Sequence, residues 1–221
     1  MKNSTLILLF SILTTVSSCS LNSRGKGNRN NRLPYYKEAS FTPYWLSKDT
    51  TELKDFHTIP SFSLVSQKGD TITENSFEGK IYVTDFFFTS CQGICPQMTS
   101  NMKIIQDEFE NDNEILLLSH SITPRKDSPQ MLKAYAQKKG IDDDKWILAT
   151  GNRIDIYELG RKGYFIEKDL GINKGPNDFL HSPNFVLVDK EKHIRGIYNG
   201  LNSNAVQQLI TDIKTLKKEY L

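Results

Sequence analysis

The segment "KIYVTDFFF", residues 80–88, limits the possible folds more than any other part of the chain. After Lys80 it is built from β-branched and aromatic residues, apolar at alternate and at neighbouring positions, and broken only by Asp85. A strand with two apolar faces needs cover on both of them, which predicts a central strand in a sheet layered between helices. The next segment is equally directive. From Pro96 onward, Met98, Met102, Ile105 and Phe109 recur at helical spacing, and a proline is tolerated in the first turn of a helix.

The remaining chain alternates in the same way. "SFSLVSQKGDTIT" predicts two short strands about a Lys68-Gly69-Asp70 turn, and "EILLLSHSI" a second buried strand. "SPQMLKAYAQKKG" predicts a helix opening at Ser128-Pro129 and stopping at Gly140, "WILAT" a strand, and "NRIDIYELGRKGY" one further helix. An irregular stretch over 167–178 leads to "SPNFVLVDKEKHIRGIYNG", a strand, a turn and a strand. A last helix carries Val206, Leu209, Ile210, Ile213 and Leu216 on one face, with Ser203 as its expected cap. The order predicts an α/β fold: a central mixed sheet, mostly parallel with an antiparallel edge, helices on both faces, and an extra N-terminal hairpin.

The N-terminus reads as something other than fold. "MKNSTLILLFSILTTVSSC" has an early lysine, an apolar run from Leu6 to Val16 and then small residues, the layout of an export signal too short to span a membrane comfortably. "VSSC" resembles the lipobox of bacterial lipoproteins, which implies a signal over 1–18 and lipidation at Cys19; Val16 and Ser18 depart mildly from its commonest form. The alternative is a secreted protein cut near the same place. Residues 19–34, rich in Asn, Gly, Ser and Arg, read as a flexible tether, and 35–56, with aromatics among prolines, as an arm packed on a domain spanning 57–221. The expected location is the bacterial cell envelope, lipid-anchored to a membrane and facing the periplasm. A formal net charge of +2 gives no electrostatic case for nucleic acid as a partner.

Only three cysteines occur, and two of them, Cys91 and Cys95, stand where the central strand ends and a helix begins. Residues four apart share a helix face, and the free N–H groups of a helix start favour thiolate over thiol. Such a pair can hold a soft cation such as Cu(I), or zinc; it can be a redox dithiol; or it can be a structural disulfide, whose small loop would constrain the unfolded chain little. Of the four histidines, His57 precedes the domain, His120 lies within an apolar strand as a core residue, and His193 comes after a turn and is expected to be exposed. His181 directly precedes a strand after the irregular stretch, the kind of position where binding residues gather.

"FFFTSCQGICPQM" resembles the Sco/SenC family, thioredoxin-like copper chaperones for assembly of the dinuclear copper centre of cytochrome c oxidase, marked by Phe88-Thr89 leading into Cys91, Cys95 and Pro96. "SITPRKDSP" is similar to a second family segment, with Asp127 and Pro129 in place and Thr123 where an aspartate is expected. The family's metal-binding histidine matches His181 in "FLHSPNFVLVD", with Leu180 in place of an aspartate that could orient the ring. The resemblance implies a thioredoxin-like fold. It also implies one copper per domain, Cu(I) or Cu(II), bound by Cys91, Cys95 and His181, with Asp178 as a candidate replacement for the missing acid. The implied partners are the copper-receiving subunit of cytochrome c oxidase and a thiol reductant protein, and the implied task is delivery by ligand exchange, without enzymatic turnover.

A thiol–disulfide oxidoreductase is the rival. Asp85 lies six positions before Cys91, a spacing at which thioredoxins carry a buried acid able to take a proton from the second thiol. Pro183 matches the position of the proline those enzymes set, in cis, against their cysteines. Both readings need a reducible Cys91–Cys95 pair, and only copper binding needs His181.

Overall fold

The computed structural model describes residues 32–168, 175 and 178–221. The export signal, Cys19 and nearly all of the tether lie outside the described residues. Seven strands form one sheet: β1 (Ser63–Ser66), β2 (Thr71–Thr73), β3 (Ile81–Phe87), β4 (Ile115–Ser121), β5 (Trp146–Thr150), β6 (Asn184–Val188) and β7 (Ile194–Asn199), in the order β2-β1-β5-β4-β3-β6-β7. The three middle strands β5, β4 and β3 run parallel, while β1 and β6 flank them antiparallel. The hairpin β1–β2 forms one edge and β6–β7 the other. The mixed sheet and its extra N-terminal hairpin are as expected, but antiparallel hairpins form both edges rather than one, and four of the six strand pairings are antiparallel, so the sheet is not mostly parallel in its pairings.

Among the described residues four α-helices cover it: α1 (Cys95–Glu108), α2 (Pro129–Lys139), α3 (Arg153–Glu158) and α4 (Ser203–Lys218). Every residue of β3 is buried, as two apolar faces require. Alternation sends Ile81, Val83 and Phe87 into a core with Met98, Met102 and Ile105 of α1, Leu132 and Ala136 of α2, and the apolar stripe of α4. Tyr82 and Phe86 enter the opposite core with Ile156 and Tyr157 of α3. Asp85 therefore points to the α1 side, the side on which Cys95 is buried.

The helix ends show how local chemistry sets boundaries. Ser128 caps α2, and Gly140 ends it in the left-handed conformation (φ 65°) that glycine adopts without strain. The cap of α4 is Asn202, whose side chain accepts from the N–H groups of Asn204 and Ala205; Ser203, expected there, is the first helical residue. The single helix expected over 152–164 breaks into α3 and a π-helical turn at Leu159–Gly163. A side chain at Gly160 would lie 2.7 Å from Leu180 and 3.0 Å from Phe86, so the turn presses its backbone against the sheet.

The chain enters the domain at the end of the sheet opposite the cysteines. Arg195, near the start of β7 and 2% exposed, donates to the carbonyls of Leu33 (2.8 Å) and Pro34 (3.1 Å). It also pairs with Asp189 (3.1 Å) and Glu219 (2.7 Å) and lies over the Tyr35 ring. Leu33, assigned by sequence to the tether, is thus buried. Tyr35 and Tyr44 exchange backbone hydrogen bonds, and Tyr36 donates to Ile194. His193, expected to be exposed, is 8% exposed, with its ring edge-on to Tyr35 at 5.4 Å. The packed arm hides it.

Candidate metal centre

The turn over 88–94 links the C-terminal end of β3 to α1 and is tied down from both sides. Cys91 N–H donates to the Phe88 carbonyl (3.2 Å), and the Phe88 N–H donates to the Cys95 sulfur. Asp127, wholly buried, accepts from the Thr89 N–H (3.2 Å), the Thr89 hydroxyl (2.5 Å), the Ser121 hydroxyl (2.6 Å) and the Thr123 hydroxyl (3.0 Å). One carboxylate thus staples the cysteine turn to the loop after β4. Sequence placed Asp127 in a pattern without giving it this role.

The two cysteines are free thiols, hydrogen-bonded to each other and unequal. Partial burial alone would raise the Cys91 thiol, but the hydrogen bond from Cys95 and the N–H groups of Cys95, Gly93 and Ile94 outweigh it and lower its pKa. Cys95 is 4% exposed, and burial together with its bond to Cys91 holds its thiol far above the usual range. The pair therefore offers one sulfur ready to ionise at the surface and one protonated sulfur behind it.

Asp85 sits beneath them. Burial raises its pKa to about 7 against the bond donated by Ser119 Oγ (2.5 Å), and its charge in turn raises Cys95. Ser119 accepts from the Trp146 indole N–H (2.8 Å), so a string of hydrogen bonds crosses three strands to reach the acid. Tyr135 borders the same region, its hydroxyl bonded to Thr99 Oγ1 (2.8 Å) and its ring 5.5 Å from Phe87. Ser119, Trp146 and Tyr135 carried no sequence signal, because only strand and helix pairing places them beside the cysteines.

His181 lies at the same end of the sheet but turned outward. It is exposed; its ring packs at 5.9 Å from Phe179, and Nδ1 is 3.4 Å from the Phe179 carbonyl. Phe179 in turn meets Phe88 edge-on at 5.7 Å, so three rings join the histidine loop to the cysteine turn. Among the described residues no three His, Cys, Asp or Glu side chains converge closely enough to hold a metal ion. The structure gathers two of the three expected ligands. Asp178 does not reach His181; its carboxylate accepts from the Gly175 N–H (2.8 Å). The His181 N–H donates to Glu167 (3.5 Å), which is also paired with Arg161. The Ser182–Pro183 bond is trans. His120 lies in the opposite core, stacked on Phe86 at 4.6 Å, and burial depresses its pKa to about 3. His57 bonds the Gly163 carbonyl (2.7 Å).

The model of one family, described as SCO1/SenC, matches residues 50–218. The chain belongs to the SCO1/SenC family. It is 28% identical over 161 residues to the SCO1 protein homolog of Bacillus subtilis, covering 71% of this chain and 81% of that one. Among solved structures, a SCO1/SenC family lipoprotein from Bacillus anthracis superposes with a TM-score of 0.64 at 30% identity, over 73% of this chain and 95% of that one. BsSco, described with a disulfide switch and as a member of the Sco family of cytochrome c oxidase assembly proteins, gives 0.61 at 27%, over 72% and 93%. Sco proteins bind copper: the yeast Sco1 structure holds it, and at 23% identity and a TM-score of 0.54 its likeness bears on the fold of this chain alone.

Proposed function

We propose that this chain binds one copper ion through Cys91, Cys95 and His181 and passes it to the copper-receiving subunit of a respiratory oxidase. The observation that carries this reading is the cysteine pair itself: two hydrogen-bonded sulfurs, one lowered in pKa, at the mouth of a turn stapled by Asp127. Thiolates favour Cu(I), and the pair must be reduced to load it, so its redox state gates the function. Completing the set requires the His181 ring to leave Phe179 and swing toward Cys91. Its exposure and its placement on a loop rather than a strand leave it free to do so. We further assign residues 1–18 to an export signal and Cys19 to lipid attachment, holding the domain to a membrane of the bacterial envelope. No helix among the described residues is long and apolar enough to cross one.

The oxidoreductase reading keeps one observation in its favour. A surface sulfur lowered in pKa, a buried sulfur raised, and a carboxyl near pKa 7 below the second are the parts of a dithiol exchange site. Anaerobic Cu(I) titration of the reduced protein against a competing chelator, with His181→Ala alongside, separates the two. Tight one-to-one binding that weakens in the variant supports copper transfer. Weak binding indifferent to His181, with rapid exchange of the dithiol, supports the oxidoreductase.

A further inference from the structure

A pocket of about 390 Å³ opens beside the cysteine turn, at the same end of the sheet. Its floor is apolar, formed by Ile122 and Tyr157, both 2% exposed, with the Tyr157 hydroxyl donating to the Ile122 carbonyl (3.2 Å). One wall is Phe179, a ring 47% exposed. Among the described residues the charged groups of the lining are Arg125, Lys126 and Arg153, all cationic, with the Arg153 guanidinium lying over the Tyr157 ring at 4.1 Å. The whole chain carries 28 basic and 26 acidic residues, so three cations gathered among the described lining residues are a local concentration and not a reflection of composition. Thr123 lines the pocket, and its hydroxyl donates to Asp127 (3.0 Å), the buried acid of the same loop. The loop itself is rigid, because Asp127 holds Ser121 and Thr123 from behind.

We propose that this pocket docks an acidic segment of a partner protein, seating one bulky apolar side chain against Phe179 while flanking carboxylates meet Arg125 and Lys126. An apolar anchor inside a ring of complementary charge is the usual form of an interaction hot spot, with the charges adding specificity and on-rate. The partner's identity as the protein that takes copper from Cys91 and Cys95 rests on the proposed function; the chemistry of the pocket does not. Phe179 lies between the pocket, Phe88 and His181, so a seated partner touches the residue on which the histidine rests.

The test is fluorescence anisotropy of a short labelled peptide, one phenylalanine flanked by glutamates, titrated with the full chain, alongside backbone amide shifts. The expected result is saturable binding, weakened at least about tenfold by Arg125→Glu with Lys126→Glu, and shifts confined to 122–126, Tyr157 and Phe179. Equal binding of a peptide with glutamines for glutamates, insensitivity to the charge reversal, or shifts scattered over other basic residues would overturn the proposal. So would charge-dependent binding to phosphatidylglycerol vesicles in place of the peptide, or self-association abolished by the same variant. Cu(I) affinity is measured in parallel and should be unchanged by the reversal. A wild-type protein that fails to bind Cu(I) sinks the copper reading and leaves the peptide data to judge the pocket.

Discussion

Replacing Asp85 by Asn should make the protein more stable at alkaline pH and leave it unchanged at acid pH. The Asp85 carboxyl is 2% exposed, and burial lifts its pKa from 3.8 to about 7. Between these values the unfolded chain has released the proton and the folded chain still holds it. The folded state binds more protons, so stability falls as pH rises through this window and is lowest above about 7. A carboxyl that titrates about three pH units late, at about 1.36 kcal/mol each, forfeits about 4 kcal/mol. His120 runs the other way: its pKa is depressed to about 3, so its contribution is present above about 6.5 and is lost as pH falls toward about 3. The two slopes oppose in the native protein, but His120 is common to both and cancels in the difference. Asn is close in shape, and its side-chain oxygen can still accept from Ser119. Urea unfolding of the reduced proteins should therefore give equal stability near pH 4 and a gain of about 4 kcal/mol for Asp85→Asn near pH 8. Parallel pH curves, separated by a constant at every pH, would show that Asp85 does not titrate in this window and would refute the reasoning.

Three other perturbations are as direct. Limited iodoacetamide at neutral pH should label Cys91 well before Cys95 in a mass map, because Cys91 is the half-buried sulfur with the lowered pKa and Cys95 the buried one with the raised pKa; equal labelling would contradict the asymmetry. Asp127→Ala strands the Thr89 N–H and three hydroxyls, and should cost about 2–3 kcal/mol in urea unfolding while altering the rate of Cys91 labelling; a stability loss with no change in that rate would show that the staple does not shape the turn. Arg195→Ala leaves Asp189 and Glu219 uncompensated, and should cost about 3–5 kcal/mol and open the segment 33–44 to proteolysis; a loss below about 1 kcal/mol would mean the cluster is not closed.

The fold was legible because the strands announce themselves. β3 and β4 are too apolar to lie anywhere but the middle of a layered sheet, and the α4 stripe could bury only one way. Cys91 and Cys95 were legible for the same reason, since their spacing and the strand-to-helix junction are local. The features that sequence left unread are nonlocal or decided by a few atoms. The Ser119–Asp85 contact depends on the register of β3 against β4, which sets Asp85 opposite Ser119. The break after α3 depends on one glycine pressed against Phe86 and Leu180. His193 was misjudged because turn residues are usually exposed, and nothing nearby in sequence says that Tyr35 will cover it. His181 was found by resemblance, but its outward orientation comes from ring packing on Phe179 that no spacing rule reveals.

In the proposed copper site, His181 leaves Phe179 to join Cys91 and Cys95 as a third ligand to the bound ion. X-ray absorption at the copper edge of the Cu(I)-loaded protein tests it most directly, with His181→Ala as the comparison. Two sulfur scatterers and one imidazole nitrogen are expected in the native protein, with loss of the imidazole signature in the variant. A two-sulfur site identical in both proteins would contradict the claim and leave His181 outside the centre.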